Sequence, residues 1–236
     1  MKHDYIRIYK LGDKYKKIYY KFTSGGNSAG VRYSTDNNEE RLKNSISRTR
    51  SKIFELAMCN NFEYFCTFTL DEKLRDRFDL NEFRRSFTQY IRNINRNRVD
   101  KIKYLLIPEQ HKDGAWHLHG LLMGLTSNDL SINEYGFLDW VSYRERWGFF
   151  SCSKIKSHEA CAKYITKYVT KDIASANLKS NAHLYFASLG LIRAECVYDS
   201  SYRYAPILDE NNTKWEFEND YIKIKWLNKL PSELSS

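Results

Sequence analysis

Two imidazoles, His117 and His119, flank one leucine within the apolar run Trp116 to Gly124. In an extended strand, side chains at i and i+2 point to the same face, so the pair is presented together. A second apolar run, Lys101 to Gln110, precedes it across a polar turn. A hairpin with the three-residue loop Lys112-Asp113-Gly114, Gly114 being in the left-handed conformation, sets Glu109 directly opposite His117. One carboxylate and two imidazoles on one sheet surface make a three-ligand site with open positions, suited to a divalent ion that must also hold a substrate oxygen. If that oxygen is on phosphate, Mg²⁺ or Mn²⁺ is the working ion, although imidazoles also accept Zn²⁺, Co²⁺ or Ni²⁺. Taken alone, His-x-His is more often a pair of ordinary half-buried residues; Glu109 is what shifts the balance. His111, in the turn, reads as a solvated side chain.

The second group is Tyr164, Lys167, Tyr168 and Lys171, in the run YITKYVTK. On a helix, residues four apart stack one turn from each other, so the two phenols share a face. Each has a lysine three residues on, and a cation beside a phenol favours phenolate and neutralises phosphate. A tyrosine pair at this spacing is more often core packing than chemistry. A phenol titrating near 10 is a weak nucleophile at neutral pH, and a metal that polarises a phosphate is what it lacks. Each group therefore supplies what the other needs.

Positioning these groups requires strands and helices in alternation. Tyr5 to Phe22 reads as a hairpin about Gly12-Asp13, followed by the loop TSGGNSAG. Asn38 to Asn60 keeps helical apolar spacing with a basic face, and Phe62 to Leu70 reads as a strand covered on both sides. Asp79 and Glu82 form a capping box for a helix through Ile94, whose polar side carries Arg84, Arg85, Arg92 and Arg96. Leu138 to Trp147 reads as a short helix, and Ser157 caps one running through Lys171 and toward Ala176. His183 to Leu189, Glu195 to Tyr204 and Trp215 to Trp226 read as strands. The expected class is α+β in a single domain, residues 1–236, with a core over about 62–191. Residues 1–30 and 192–236 are additions to it.

The chain has 236 residues, with 38 Lys and Arg against 29 Asp and Glu, a net charge of +9 that points to an anionic partner. Its basic residues are spread along the length rather than gathered beside an apolar helix, which argues against a membrane surface. The opening MKHDYIRIYK has no apolar leader core, and no window approaches the roughly 18 apolar residues that span a bilayer. A cytoplasmic location follows as the expectation. Five cysteines without a C-x-x-C pair suggest neither a zinc knuckle nor a disulfide framework. The 15% aromatic content suits stacking of unpaired bases.

In order and spacing these motifs resemble the HUH endonucleases, and among them the rolling-circle replication initiators of phages and plasmids with a two-tyrosine motif. Phe65-Cys66-Thr67-Phe68-Thr69-Leu70 is similar to the family's first strand motif. Glu109 with His117-Leu118-His119 is similar to its metal motif, and Tyr164 to Lys171 to its tyrosine motif. The resemblance implies an antiparallel sheet of about five strands with helices on its faces. It also implies nicking of single-stranded DNA at an origin, with Glu109, His117 and His119 holding Mg²⁺ or Mn²⁺ and Tyr164 or Tyr168 attacking phosphorus. The products are a 5′-phosphotyrosine and a free 3′-OH. Lys167 and Lys171 would balance phosphate charge, while Arg84, Arg85 and Arg92 would touch the DNA backbone. The tyrosines follow the histidines, which favours the initiator or single-strand transposase branch; transposases of that branch usually have one tyrosine. No G-x-x-x-x-G-K-[ST] loop occurs, so the resemblance implies a separate host helicase and a host polymerase in a bacterial cell. The competing readings are a noncatalytic DNA-binding protein and a hydrolase that uses activated water.

Overall fold

The computed structural model describes residues 4–21, 38–170, 184–201 and 214–234, except the side chains of Asn38, Arg41 and Glu233. The first elements are β1 (Tyr5–Leu11), β2 (Lys14–Tyr20), α1 (Asn38–Cys59), β3 (Tyr64–Thr69) and α2 (Leu80–Asn95). Next come β4 (Lys103–Gln110), β5 (Trp116–Met123), β6 (Leu130–Ile132), β7 (Leu138–Trp140), α3 (Val141–Trp147) and β8 (Phe150–Lys154). The last are α4 (His158–Ile165), β9 (Phe186–Ala187), β10 (Glu195–Asp199), β11 (Phe217–Glu218) and β12 (Ile222–Leu227). The class is α+β, and every strand pairing is antiparallel. No described helix is long and apolar enough to cross a membrane.

Backbone contacts divide the chain into two compact units, residues 37–192 and residues 1–36 with 193–236. In the smaller unit the strands run β10-β1-β2-β12-β11. The N-terminal hairpin and the C-terminal strands, read from sequence as separate additions, thus pair with each other. Ile6, Ile8 and Tyr198 form the small core of this sheet.

In the larger unit the order is β6-β7-β8-β3-β5-β4-β9. Strand alternation sorts its side chains cleanly. From β3, Tyr64, Cys66 and Phe68 join Leu118 and Leu122 of β5 and Tyr104 and Leu106 of β4 in one core with Phe83, Phe87 and Ile91 of α2. Helix α2 begins as its sequence predicts, with the Asp79 carboxylate accepting from the Glu82 amide at 2.8 Å. The other sheet face carries Leu105 and Ile107 of β4 and Leu121 of β5, all buried. On that side α1 packs against α4 and β4, burying its Ile53 and Leu56.

Three departures from the sequence reading matter. The sheet has seven strands rather than about five, because β6, β7 and β8 extend it beyond β3. Leu138 to Trp147 is not one helix: Leu138–Trp140 pairs as a strand and only Val141–Trp147 is helical. That helix stops at Gly148, whose φ is 129° and where a Cβ would come within 2.5 Å of the Asp71 nitrogen. The tyrosine-bearing helix ends at Ile165 and passes into a single 3₁₀ turn, Thr166–Tyr168, instead of running through Lys171. Two contacts close it early: the Thr166 hydroxyl donates to the Lys163 carbonyl at 2.8 Å, and Arg50 of α1 takes the Val169 carbonyl at 2.8 Å. Lys171, Ala176, His183 and Tyr204 lie outside the described residues.

The cysteines are free; Cys59, Cys66 and Cys152 are buried, Cys161 is half-buried and Cys196 exposed.

Candidate active site

The pairing of β4 with β5 sets Glu109 opposite His117 and Ile107 opposite His119. This is the register that the three-residue loop requires. His111 and Ala115 close it with a 2.9 Å backbone bond, and Gly114 takes φ 87°, a conformation that strains any residue with a Cβ. Glu109, His117 and His119 therefore share one face, together with Thr67 of β3, which lies opposite His119.

On that face Glu109 Oε2 sits 2.8 Å from His119 Nε2, and the other ring nitrogen, Nδ1, lies 3.4 Å from the Thr67 hydroxyl. The His119 ring is thereby held at both nitrogens. The imidazole of His117 instead turns edge-on toward His111, with ring centroids 3.7 Å apart. Beside His117 a hollow of about 160 Å³ is bordered also by Arg77 and Asp113.

The tyrosine segment covers this surface. Tyr168 stacks on His119 with centroids 3.7 Å apart and planes 18° from parallel. Its hydroxyl donates to the Tyr164 hydroxyl oxygen at 3.1 Å. Phe65 of β3 meets the Tyr164 ring edge-on at 5.5 Å, and the Lys167 ammonium lies over that ring at 5.4 Å. Early closure of the helix has not separated the phenols, because a 3₁₀ turn still brings residue i+4 near residue i. The structure thus gathers Glu109, His117, His119, Tyr164, Lys167 and Tyr168 in one place. Arg84, Arg85 and Arg92 it places elsewhere, on α2, behind the opposite face of the sheet.

Thr67, Phe65 and Arg50 join the site without having been singled out for it. Thr67 and Phe65 were within reach of the strand alternation argument, since they share the outward face of FEYFCTFTL. Arg50 was not, because it grips a carbonyl 119 residues away.

Burial depresses both histidines. His117 is pushed down to about 4 by burial, with His111 and His119 adding repulsion. His119 is lowered by burial too, opposed by its bond to Glu109. Burial, and then the bond to Tyr164, push the Tyr168 phenol up. For His117 the unfolded ring binds a proton near 6.5 that the folded site refuses. The stability it contributes is present above about pH 6.5 and is lost as pH falls toward about 4. The ring is half-exposed, so solvent discounts the loss to about 1 kcal/mol, which is about 2–4 °C in Tm for a chain of this size. Thermal melts of chelator-treated protein should show a decline across that window that is shallower in His117→Gln. Equal slopes in the two proteins would refute the assignment.

The donor chemistry suits a divalent cation, with one carboxylate and two imidazoles held neutral and available as ligands. Two of the three donors already face each other across 2.8 Å. As they stand, no three His, Cys, Asp or Glu side chains among the described residues converge on one point; the outlier is His117, turned toward His111.

Residues 63–173 match the family model of replication-associated proteins of the ORF2 class. The matched stretch opens just before β3, closes just past the tyrosine turn, and includes Glu109, His117, His119, Tyr164, Lys167, Tyr168 and Lys171. Neither a curated protein nor a solved structure matches the chain.

Proposed function

We propose that the protein is a replication initiator of the HUH type, which nicks single-stranded DNA at an origin and joins the cut end to its own tyrosine. The observation that carries this reading is the stack of Tyr168 on His119, with Glu109 bonded to the same imidazole. It sets a phenol against a carboxylate and imidazole surface, so one phosphodiester can reach both. The likeness of residues 63–173 to replication-associated proteins supports the same conclusion and makes DNA the partner.

Glu109, His117 and His119 would hold Mg²⁺ or Mn²⁺, which when bound supplies charge to polarise a phosphate oxygen. The remaining roles belong to the chain itself. Tyr164 or Tyr168 attacks phosphorus in line: the bond from its oxygen to phosphorus forms, and the bond from phosphorus to the 3′ oxygen breaks. The phenolic proton leaves to solvent, and the departing 3′ oxygen takes one up. The product is a 5′-phosphotyrosine with a free 3′-OH that a host polymerase can extend behind a host helicase. With the hydroxyls 3.1 Å apart, either phenol can address the same phosphate, so the second can cut the returning strand while the first releases its own. Lys167 offsets phosphate charge beside Tyr164, and Lys171 is assigned the same task for Tyr168. Phe65 and His119 hold the two rings, limiting the entropy lost on reaching the attacking geometry.

Incubation of the purified protein with single-stranded oligonucleotides and Mn²⁺, followed by a denaturing gel, tests the proposal. A band of protein joined to DNA is expected, absent when EDTA replaces Mn²⁺. Cleavage that leaves the DNA free of protein would instead indicate a hydrolase using activated water. Binding with no cleavage on any origin sequence would indicate a noncatalytic DNA-binding protein.

A further inference from the structure

On the other side of the sheet, between α2 and the β4–β9 edge, lies a groove of about 750 Å³. Its floor is apolar, formed by Ile91, Ile102 and Phe186, all buried. Its walls carry five cations, Arg84, Arg92, Arg96, Lys101 and Lys103, and no Asp or Glu lines it. Among the described residues none of the five is in an ion pair with a carboxylate. The Arg84 guanidinium lies 5.7 Å over the Phe186 ring, and Lys101 and Lys103 donate to the backbone carbonyls of Asn95 and Gly190. Five uncompensated charges around one concavity repel one another, a cost that an anionic occupant would relieve.

We propose that this groove binds a second stretch of single-stranded DNA, separate from the strand that is cut. The inference rests on the proposed function for its ligand, DNA, but on none of the catalytic residues. Tyr104 in the groove and Glu109 at the active site are five apart on β4, so their side chains leave opposite faces of the sheet. A strand in the groove therefore cannot be the one lying against Tyr164 and Tyr168. Arg92 and Arg96 are one helical step of four residues apart, an advance of about 6 Å along the axis that suits successive phosphates of an extended strand. Between the phosphate contacts the apolar floor and the half-buried Tyr185 accept a base, the combination of cationic rim and stacking surface that serves unpaired nucleotides. The volume falls within the ~300–1,000 Å³ that encloses a small ligand, which favours an unstacked nucleotide over a duplex. Arg85, one residue from Arg84, does not line the groove.

The test is fluorescence anisotropy of a labelled oligonucleotide with the full chain, titrated in EDTA over a range of salt, alongside adduct formation in Mn²⁺ at saturating DNA. Arg92→Glu/Arg96→Glu should bind about tenfold more weakly or worse, with the slope of log K against log salt shallower by about 1.4, or 0.7 per lost phosphate contact. Arg85→Glu, a charge change on the same helix outside the groove, should have a much smaller effect. Adduct formation at saturation should be unchanged in both. Unchanged affinity and slope in the double variant overturn the groove while leaving the nicking reading intact. Weaker binding in a protein that never forms an adduct supports the groove and rejects the nicking. An equal loss in Arg85→Glu shows general electrostatics and overturns the proposal, as does a variant that loses affinity for a polyglutamate peptide but not for DNA.

Discussion

Changing both Tyr164 and Tyr168 to phenylalanine should lower the yield of covalent protein–DNA adduct by about 10³-fold or more, while binding of the same oligonucleotide stays within about twofold. The substitution removes two oxygens and leaves the rings, so the contacts of Tyr168 with His119 and of Tyr164 with Phe65 persist. Neither position is a fold element: Tyr164 is exposed at 47% and Tyr168 is half-buried. Each single variant should still form an adduct on a simple oligonucleotide, because the surviving hydroxyl lies 3.1 Å from where the other was, but should fail to complete strand exchange on a substrate carrying two nick sites. Denaturing gels of the three variants decide this. Loss of adduct in Tyr168→Phe alone, with Tyr164→Phe unaffected, would end the exchange scheme and leave a one-tyrosine nickase. Adduct surviving in the double variant would place the nucleophile elsewhere.

The second large effect concerns the imidazole and carboxylate surface. His117→Ala and His119→Ala should each reduce nicking about 10²- to 10³-fold, and the double change little further, since ligands of one centre act as a unit. Glu109→Gln keeps the size of the side chain but removes the charge, and should weaken Mn²⁺ binding, read by calorimetric titration, at least about tenfold. The His119 change carries an added loss, because its ring also supports Tyr168. Nicking by His119→Ala should therefore stay below that of His117→Ala even at saturating Mn²⁺. Full activity in all three variants would remove the metal from the mechanism.

Much of this surface was legible in the sequence because strand geometry has a period of two and hairpin loops come in few lengths. A three-residue loop with glycine last forces Glu109 opposite His117, and no distant residue can alter that register without breaking the hairpin. Helix α2 was equally legible from its Asp79 cap and the apolar spacing of Leu80, Phe83, Phe87 and Ile91. What could not be read were features decided by partners far along the chain. Strand β7 is extended by pairing with β6 and β8, which overrode helical spacing between Leu138 and Trp147. Helix α4 stops because of a guanidinium on α1. Arg84, Arg85 and Arg92 looked equivalent on the polar side of one helix; only the approach of residues 185–189 distinguishes Arg84 and Arg92 from Arg85.

The grip of Arg50 on Val169 bears on how the molecule carries load. Two guanidinium nitrogens reach that carbonyl, at 2.8 and 3.2 Å, just one residue past Tyr168. Once a strand is linked to either phenol, an advancing replication fork tugs on the turn that holds it. A short helix followed by a single 3₁₀ turn would unwind under such tension if moored only by its own backbone. Through Arg50 the pull passes sideways into the 22 residues of α1, and the attachment point yields only when that longer helix does.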